Sequence, residues 1–116
     1  MPDNNEVQLK RGVLELCVLA LVSRADSYAY EIASRLADEI GMGEGTIYPL
    51  MRRMQTDGLL EDYLVDSTAG PPRRYYRLSK AGRARLAAQK ATWDEFSTAI
   101  DRILKAADRR ALKAVK

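Results

Sequence analysis

The segment GEGTIYPLMRRMQTDGLL (43–60), continuing as LEDYLVDSTAGPPRRYYRL (60–78), decides how this chain is read. Ile47, Leu50, Met51 and Met54 recur at the i, i+3, i+4, i+7 spacing of one helical face, and Gly58 stands where a glycine ends a helix. With those four turned inward, the outward stripe is Gly45, Tyr48, Arg52 and Gln55, with Thr46 and Arg53 at its sides. Two strand-like runs follow, Leu60–Val65 and Arg73–Leu78, joined by the loop-forming residues DSTAGPP. In the second run Arg74, Tyr76 and Leu78 fall on one face, and Arg73, Tyr75 and Arg77 on the other.

Upstream, two further helices are expected. Lys10–Arg24 is apolar on nearly all sides, so it is expected to be buried all round, in part by a partner chain. Asp26 and Ser27 are helix-start residues, and Ala29, Ile32, Ala33, Leu36 and Ile40 then line one face. Residues 1–7 are polar and expected to fray. Three short helices and a hairpin are the winged helix-turn-helix order. The expected fold is therefore mainly α with a small β-hairpin, its domain spanning residues 8–78.

Downstream, Ser79 can cap a final helix over residues 79–108, roughly 45 Å long. Leu86, Trp93 and Ile100 fall seven apart, as do Gln89, Phe96 and Ile103 between them, which makes a heptad seam with one polar member. A small domain cannot cover so long a helix, so the favoured occupant of the seam is a second copy. A helix folded back on its own chain is the alternative. The basic end, residues 109–116, is expected to be a flexible tail.

Composition narrows the chemistry. The chain of 116 residues has 47% hydrophobic and 30% charged residues, the balance of a single folded domain, and its net charge of +3 is mild. The distribution says more: from Pro71 to Lys90 stand seven basic residues and no acidic one. Such a block fits a polyanion, and it also fits a solvated helix face. There is no histidine, the commonest metal ligand and general base, and no serine or acidic pair stands in a catalytic constellation. No enzyme activity, cofactor or metal is expected. Cys17, the only cysteine, lies in an apolar run and reads as a core residue, with redox sensing the remote alternative. The longest apolar run, Val13–Val22, is broken by Glu15 and too short to span a bilayer, and the N-terminal MPDNNEVQLKR lacks a signal-peptide layout. No membrane partner is expected, and the cytoplasm is the expected location.

The candidate binding residues follow from geometry. Thr46 and Tyr48 stand at the N-terminal end of the third helix, the end that a recognition helix inserts into the major groove. Gly43 and Gly45 leave backbone bare for a phosphate at the positive end of the helix dipole. Arg52 can pair with a phosphate or a guanine edge. Arg73 and Arg74, stiffened by Pro71 and Pro72, can reach the DNA backbone or the minor groove, or can simply keep a hairpin edge soluble. Of Tyr28 and Tyr30, one is expected to pack on the wing or core, leaving the other near a phosphate.

LKRGVLELCVLALV, SYAYEIASRL, GEGTIYPLMRRMQTDGLL and GPPRRYYRLSKAG, in that order and spacing over roughly residues 9–104, resemble the PadR family of bacterial transcriptional regulators, in its short branch with a single terminal helix. The resemblance implies a homodimeric winged-helix repressor on a pseudo-palindromic double-stranded DNA operator. It places Thr46 and Tyr48 of the third helix and Arg73 and Arg74 of the wing at the DNA surface, and with Gly45 and Arg52 of the helix stripe these are the expected DNA contacts. In the family the terminal helix makes the dimer, which matches the Trp93 stripe; with the first helix as the other half, the expected dimer interface is Leu14, Leu86, Trp93, Phe96, Ile100 and Ile103. Some members bind aromatic or drug-like small molecules beside a tryptophan, a role that falls here on Trp93, which is equally explained as dimer core. Ala29 departs from the usual glycine, and no polar cap precedes Gly43. The rival reading is a winged-helix module for protein–protein contact that does not bind DNA, its basic hairpin holding an acidic partner.

Overall fold

The computed structural model describes the backbone of residues 4–115 and the side chains of residues 13–110. The chain runs α1 (Asn4–Arg24), β1 (Ser27–Tyr28), α2 (Ala29–Ile40), α3 (Glu44–Thr56), β2 (Leu60–Val65), β3 (Arg73–Leu78) and α4 (Lys80–Val115). The strands form one antiparallel sheet in the order β1-β3-β2. It divides into two compact units, Met1–Leu86 and Ala87–Lys116. The first turns of α4, through Leu86, group with the three helices and the sheet.

The core of the first unit gathers the apolar faces of three helices against the inner face of the sheet. Val18, Leu19, Ile32, Ile47, Met51, Met54 and Leu60 are each under 2% exposed. Burial of each such side chain contributes about 1.5–3 kcal/mol before entropy is counted. The face of α3 that turns inward is Ile47, Leu50, Met51 and Met54, as the spacing predicts.

The helix ends follow from local chemistry. At the end of α3, Gly58 (φ 78°) donates its N–H to Gln55 O at 3.0 Å and Leu59 donates to Met54 O at 2.9 Å. That pair of bonds is a Schellman motif, with buried Leu59 as its apolar clasp. Gly41 (φ 69°) closes α2 in the left-handed region, its N–H reaching Ala37 O at 3.0 Å. At the start of α4, the Ser79 hydroxyl accepts the Gly82 N–H at 2.9 Å and itself donates to Gly58 O at 2.5 Å. Gly82 is buried there, and only glycine fits, because a Cβ at that position would overlap the Leu59 carbonyl oxygen.

Four expectations change. Helix α1 begins at Asn4 rather than Lys10, so residues 4–7 are helical; the expectation of fraying at residues 1–3 lies outside the described residues. Ser27 is not a helix starter: it pairs with Tyr76 and Tyr28 with Tyr75, adding β1 to the expected hairpin. Helix α2 starts instead from Tyr28, whose N–H donates to the Glu31 carboxylate at 3.1 Å. Helix α4 continues to Val115, so the basic end expected to be a flexible tail is helical. Fourth, Leu14, expected at a dimer interface, is 2% exposed and belongs to the domain's own core, because α1 turns it toward the other helices.

Candidate nucleic-acid interface

Helix α3 presents its polar side outward. Gly45, Pro49, Arg52 and Arg53 are exposed, and Thr46, Tyr48 and Gln55 half-buried. Tyr48 rests its ring against the core. Burial raises its phenol pKa, with Glu44 and Tyr30 adding to the shift, so the hydroxyl stays protonated and can donate. Glu44 matters for the helix N-terminus: it sets a carboxylate beside the bare backbone of Gly43 and Gly45, where a phosphate was expected. Among the described residues Arg52 has no ion-pair partner, which leaves its guanidinium available.

The wing divides its two arginines. Successive strand residues face opposite ways, so Arg74 lies on the side of the sheet that packs on α3 and Arg73 on the other. Arg74 forms an ion pair with Asp62 across the hairpin. Tyr76 sits between the two elements: burial raises its pKa, Arg74 and Arg52 lower it, and Asp62 raises it. The charges of Arg52 on α3 and Arg74 on β3 are thus both felt at the Tyr76 phenol.

Arg73 stacks instead over the Tyr28 ring, 4.8 Å from its centroid. Tyr30, Tyr28, Tyr75 and Tyr63 form a row over the outer face of the sheet, with neighbouring centroids 6.3, 5.6 and 5.9 Å apart. Arg77 closes the far end, 5.4 Å from the Tyr63 centroid and 3.7 Å from Glu61. The Tyr63 hydroxyl donates to Asp26 at 2.6 Å, tying the wing to the α1–α2 connection and raising the pKa of Tyr63. Sequence reasoning missed this row; the alternation of Ser27, Tyr28, Ala29 and Tyr30 was its one visible signal. Tyr28 is the tyrosine that packs on the wing, while Tyr30 stays 57% exposed.

The basic block between Pro71 and Lys90 is partly spent within the fold: Arg74, Arg77 and Arg85 pair with Asp62, Glu61 and Glu15. These pairs are solvent-exposed and weak, so they orient the arginines more than they neutralise them.

On α4 the stripe is uncovered in the single chain. Trp93 is 43%, Phe96 58% and Ile103 68% exposed, and Ile100 is exposed beside Leu104, which was not foreseen. Leu86 lies half-buried against the core of the first unit. No helix among the described residues is long and apolar enough to cross a membrane.

Three helices, a short sheet and a wing with an exposed basic α3 define a winged helix-turn-helix protein with a long terminal helix. The model of the PadR-like transcriptional regulator family matches residues 18–88, and the chain belongs to that family. It is similar to a PadR-like transcriptional regulator of Bacillus cereus, with 37% identity over 84% of this chain and 96% of the other and a TM-score of 0.77. A PadR-like transcription factor of Bacteroides fragilis shares 37% identity over 87% of this chain and 99% of the other, with a TM-score of 0.70. A transcriptional regulator of Mycobacterium tuberculosis is 42% identical over 55 residues, 46% of this chain and 49% of that one. Regulators of this family bind DNA, typically form dimers and are generally not enzymes.

Proposed function

We propose that the chain is a sequence-specific DNA-binding regulator acting in the cytoplasm as a homodimer, a repressor relieved when a small molecule binds. The exposed polar face of α3, where Arg52 stands with half-buried Thr46 and Tyr48 as hydrogen-bonding groups, carries this reading, with the wing arginines Arg73 and Arg74 on the hairpin that follows. Arg73, turned onto Tyr28, contributes a charge from the adjoining face. Gly45 lets the backbone approach, and Glu44 keeps the helix N-terminus from holding phosphate indiscriminately.

The second copy follows from the uncovered stripe of α4. Trp93, Phe96, Ile100 and Ile103 form the kind of apolar surface that a partner covers. Two protomers joined there would offer paired recognition helices to a pseudo-palindromic operator. An aromatic or drug-like effector beside Trp93 relieves repression only if it binds the two dimer geometries unequally.

The test is the salt dependence of binding to duplex DNA, measured by fluorescence anisotropy. The wild type binds random duplex weakly and its affinity falls steeply with salt, while Arg52→Ala makes the slope shallower by about one unit in log–log form. A protein that binds no duplex at low salt, or an Arg52→Ala slope equal to that of the wild type, would sink the proposal in favour of a protein-contact module.

A further inference from the structure

The polar face of α3 opens with a carboxylate that the fold does not use. Glu44 is the first residue of the helix and is exposed. Among the described residues its carboxylate joins no ion pair, and between Arg35 and Arg52 the chain has no basic residue to neutralise it. Tyr48 and Arg52 follow it at intervals of four residues, so the three stand in one row along the helix. The charge of Glu44 is felt at the Tyr48 phenol, as that row requires. An unneutralised anion on a face turned toward phosphates weakens binding unless it meets a hydrogen-bond donor there.

We infer that Glu44 determines specificity by reading cytosine in the major groove, its carboxylate accepting the N4 amino group. The inference rests on the DNA-binding reading above and adds to it a residue and a base. The base edges of that groove offer an anion only two donors, the amino groups of cytosine and adenine. Cytosine suits it better. On adenine the amino group stands beside the N7 acceptor, whose lone pair repels a carboxylate, whereas cytosine has a C–H on that side. The positive end of the helix dipole, next to Glu44, offsets part of the repulsion from the phosphates. A carboxylate kept only to complement that dipole would support the helix and leave base preference untouched, so the two roles are separable.

Selection of bound sites from a random duplex library, with the full-length protein and its variants, separates them. The wild type is expected to fix one cytosine in each half-site. Glu44→Ala loses the preference at that position and keeps the rest of the consensus. Glu44→Gln admits adenine there, because a glutamine amide pairs with adenine N6 and N7 together. On the selected duplex, exchanging that C·G pair for T·A weakens the wild type about tenfold, an ordinary cost for one wrong base pair, and Glu44→Ala by less than about twofold. The inference is overturned if Glu44→Ala selects the wild-type consensus, or if Glu44→Gln still excludes adenine. It is overturned equally if every position relaxes together in Glu44→Ala, which would make Glu44 a support of the helix. A wild type that enriches no consensus would remove the sequence-specific reading itself, whereas a consensus without a fixed cytosine sinks this inference alone.

Discussion

Helices α3 and α4 both carry an apolar stripe at helical spacing, yet the two stripes meet different fates. Ile47, Leu50, Met51 and Met54 of α3 are all buried within their own unit. Trp93, Phe96, Ile100 and Ile103 of α4 stand open in the single chain. Periodicity shows that a face wants cover, but not whose surface supplies it. Length decides: α3 has 13 residues, which its neighbours can enclose, whereas the 36 residues of α4 outrun any domain of this size.

The largest expected effects come from cutting each stripe. Met54→Ala should lower unfolding stability by about 2–5 kcal/mol through the cavity it leaves. Trp93→Ala should barely move the melting of the protomer but should weaken dimerisation by about 2 kcal/mol or more, as for a central aromatic anchor. Thermal melts and sedimentation over graded concentrations measure both. If Trp93→Ala destabilised the protomer as Met54→Ala does and left self-association intact, the α4 stripe would be covered by its own chain, and the contrast would disappear.

A sharper cut lies where the start of α4 meets the turn that follows α3. Gly82→Ala should cost about 2 kcal/mol, because the added methyl meets the rigid Leu59 carbonyl rather than a flexible side chain. Gly70→Ala, which meets nothing within 4 Å, serves as the neutral control. Equal denaturant midpoints for the two would mean that the start of α4 yields easily.

The smallest effect is the most informative about function. A Cβ on Gly45 would meet nothing within 4 Å, so the fold itself does not need glycine there. Gly45→Ala should raise stability slightly, by no more than about 0.5 kcal/mol in the first turn of the helix, while weakening binding to duplex DNA. Stability and affinity that rise together would leave Gly45 without a part in DNA approach.

Much of this architecture is legible in local chemistry. The bounds of both wing strands, the buried face of α3 and the closing role of Gly58 follow from spacing and turn residues, and all agree with the structure. What spacing could not reveal arises from tertiary pairing. β1 is two residues long and exists because β3 offers an edge to Ser27 and Tyr28. Leu14 could be placed on a buried helix but not on a particular side of it. At the candidate site, alternation separates Arg73 from Arg74, yet only the register reveals that one meets Tyr28 and the other Asp62. The helical end of α4 was hidden by a composition that suits helix and coil alike.

The Ser79 hydroxyl completes the first turn of α4 while gripping the carbonyl of Gly58, the residue that finishes α3. One hydroxyl thus serves two helix ends at once, and a substitution that removes it, such as Ser79→Ala, strips a partner from the close of α3 and from the opening of α4 together.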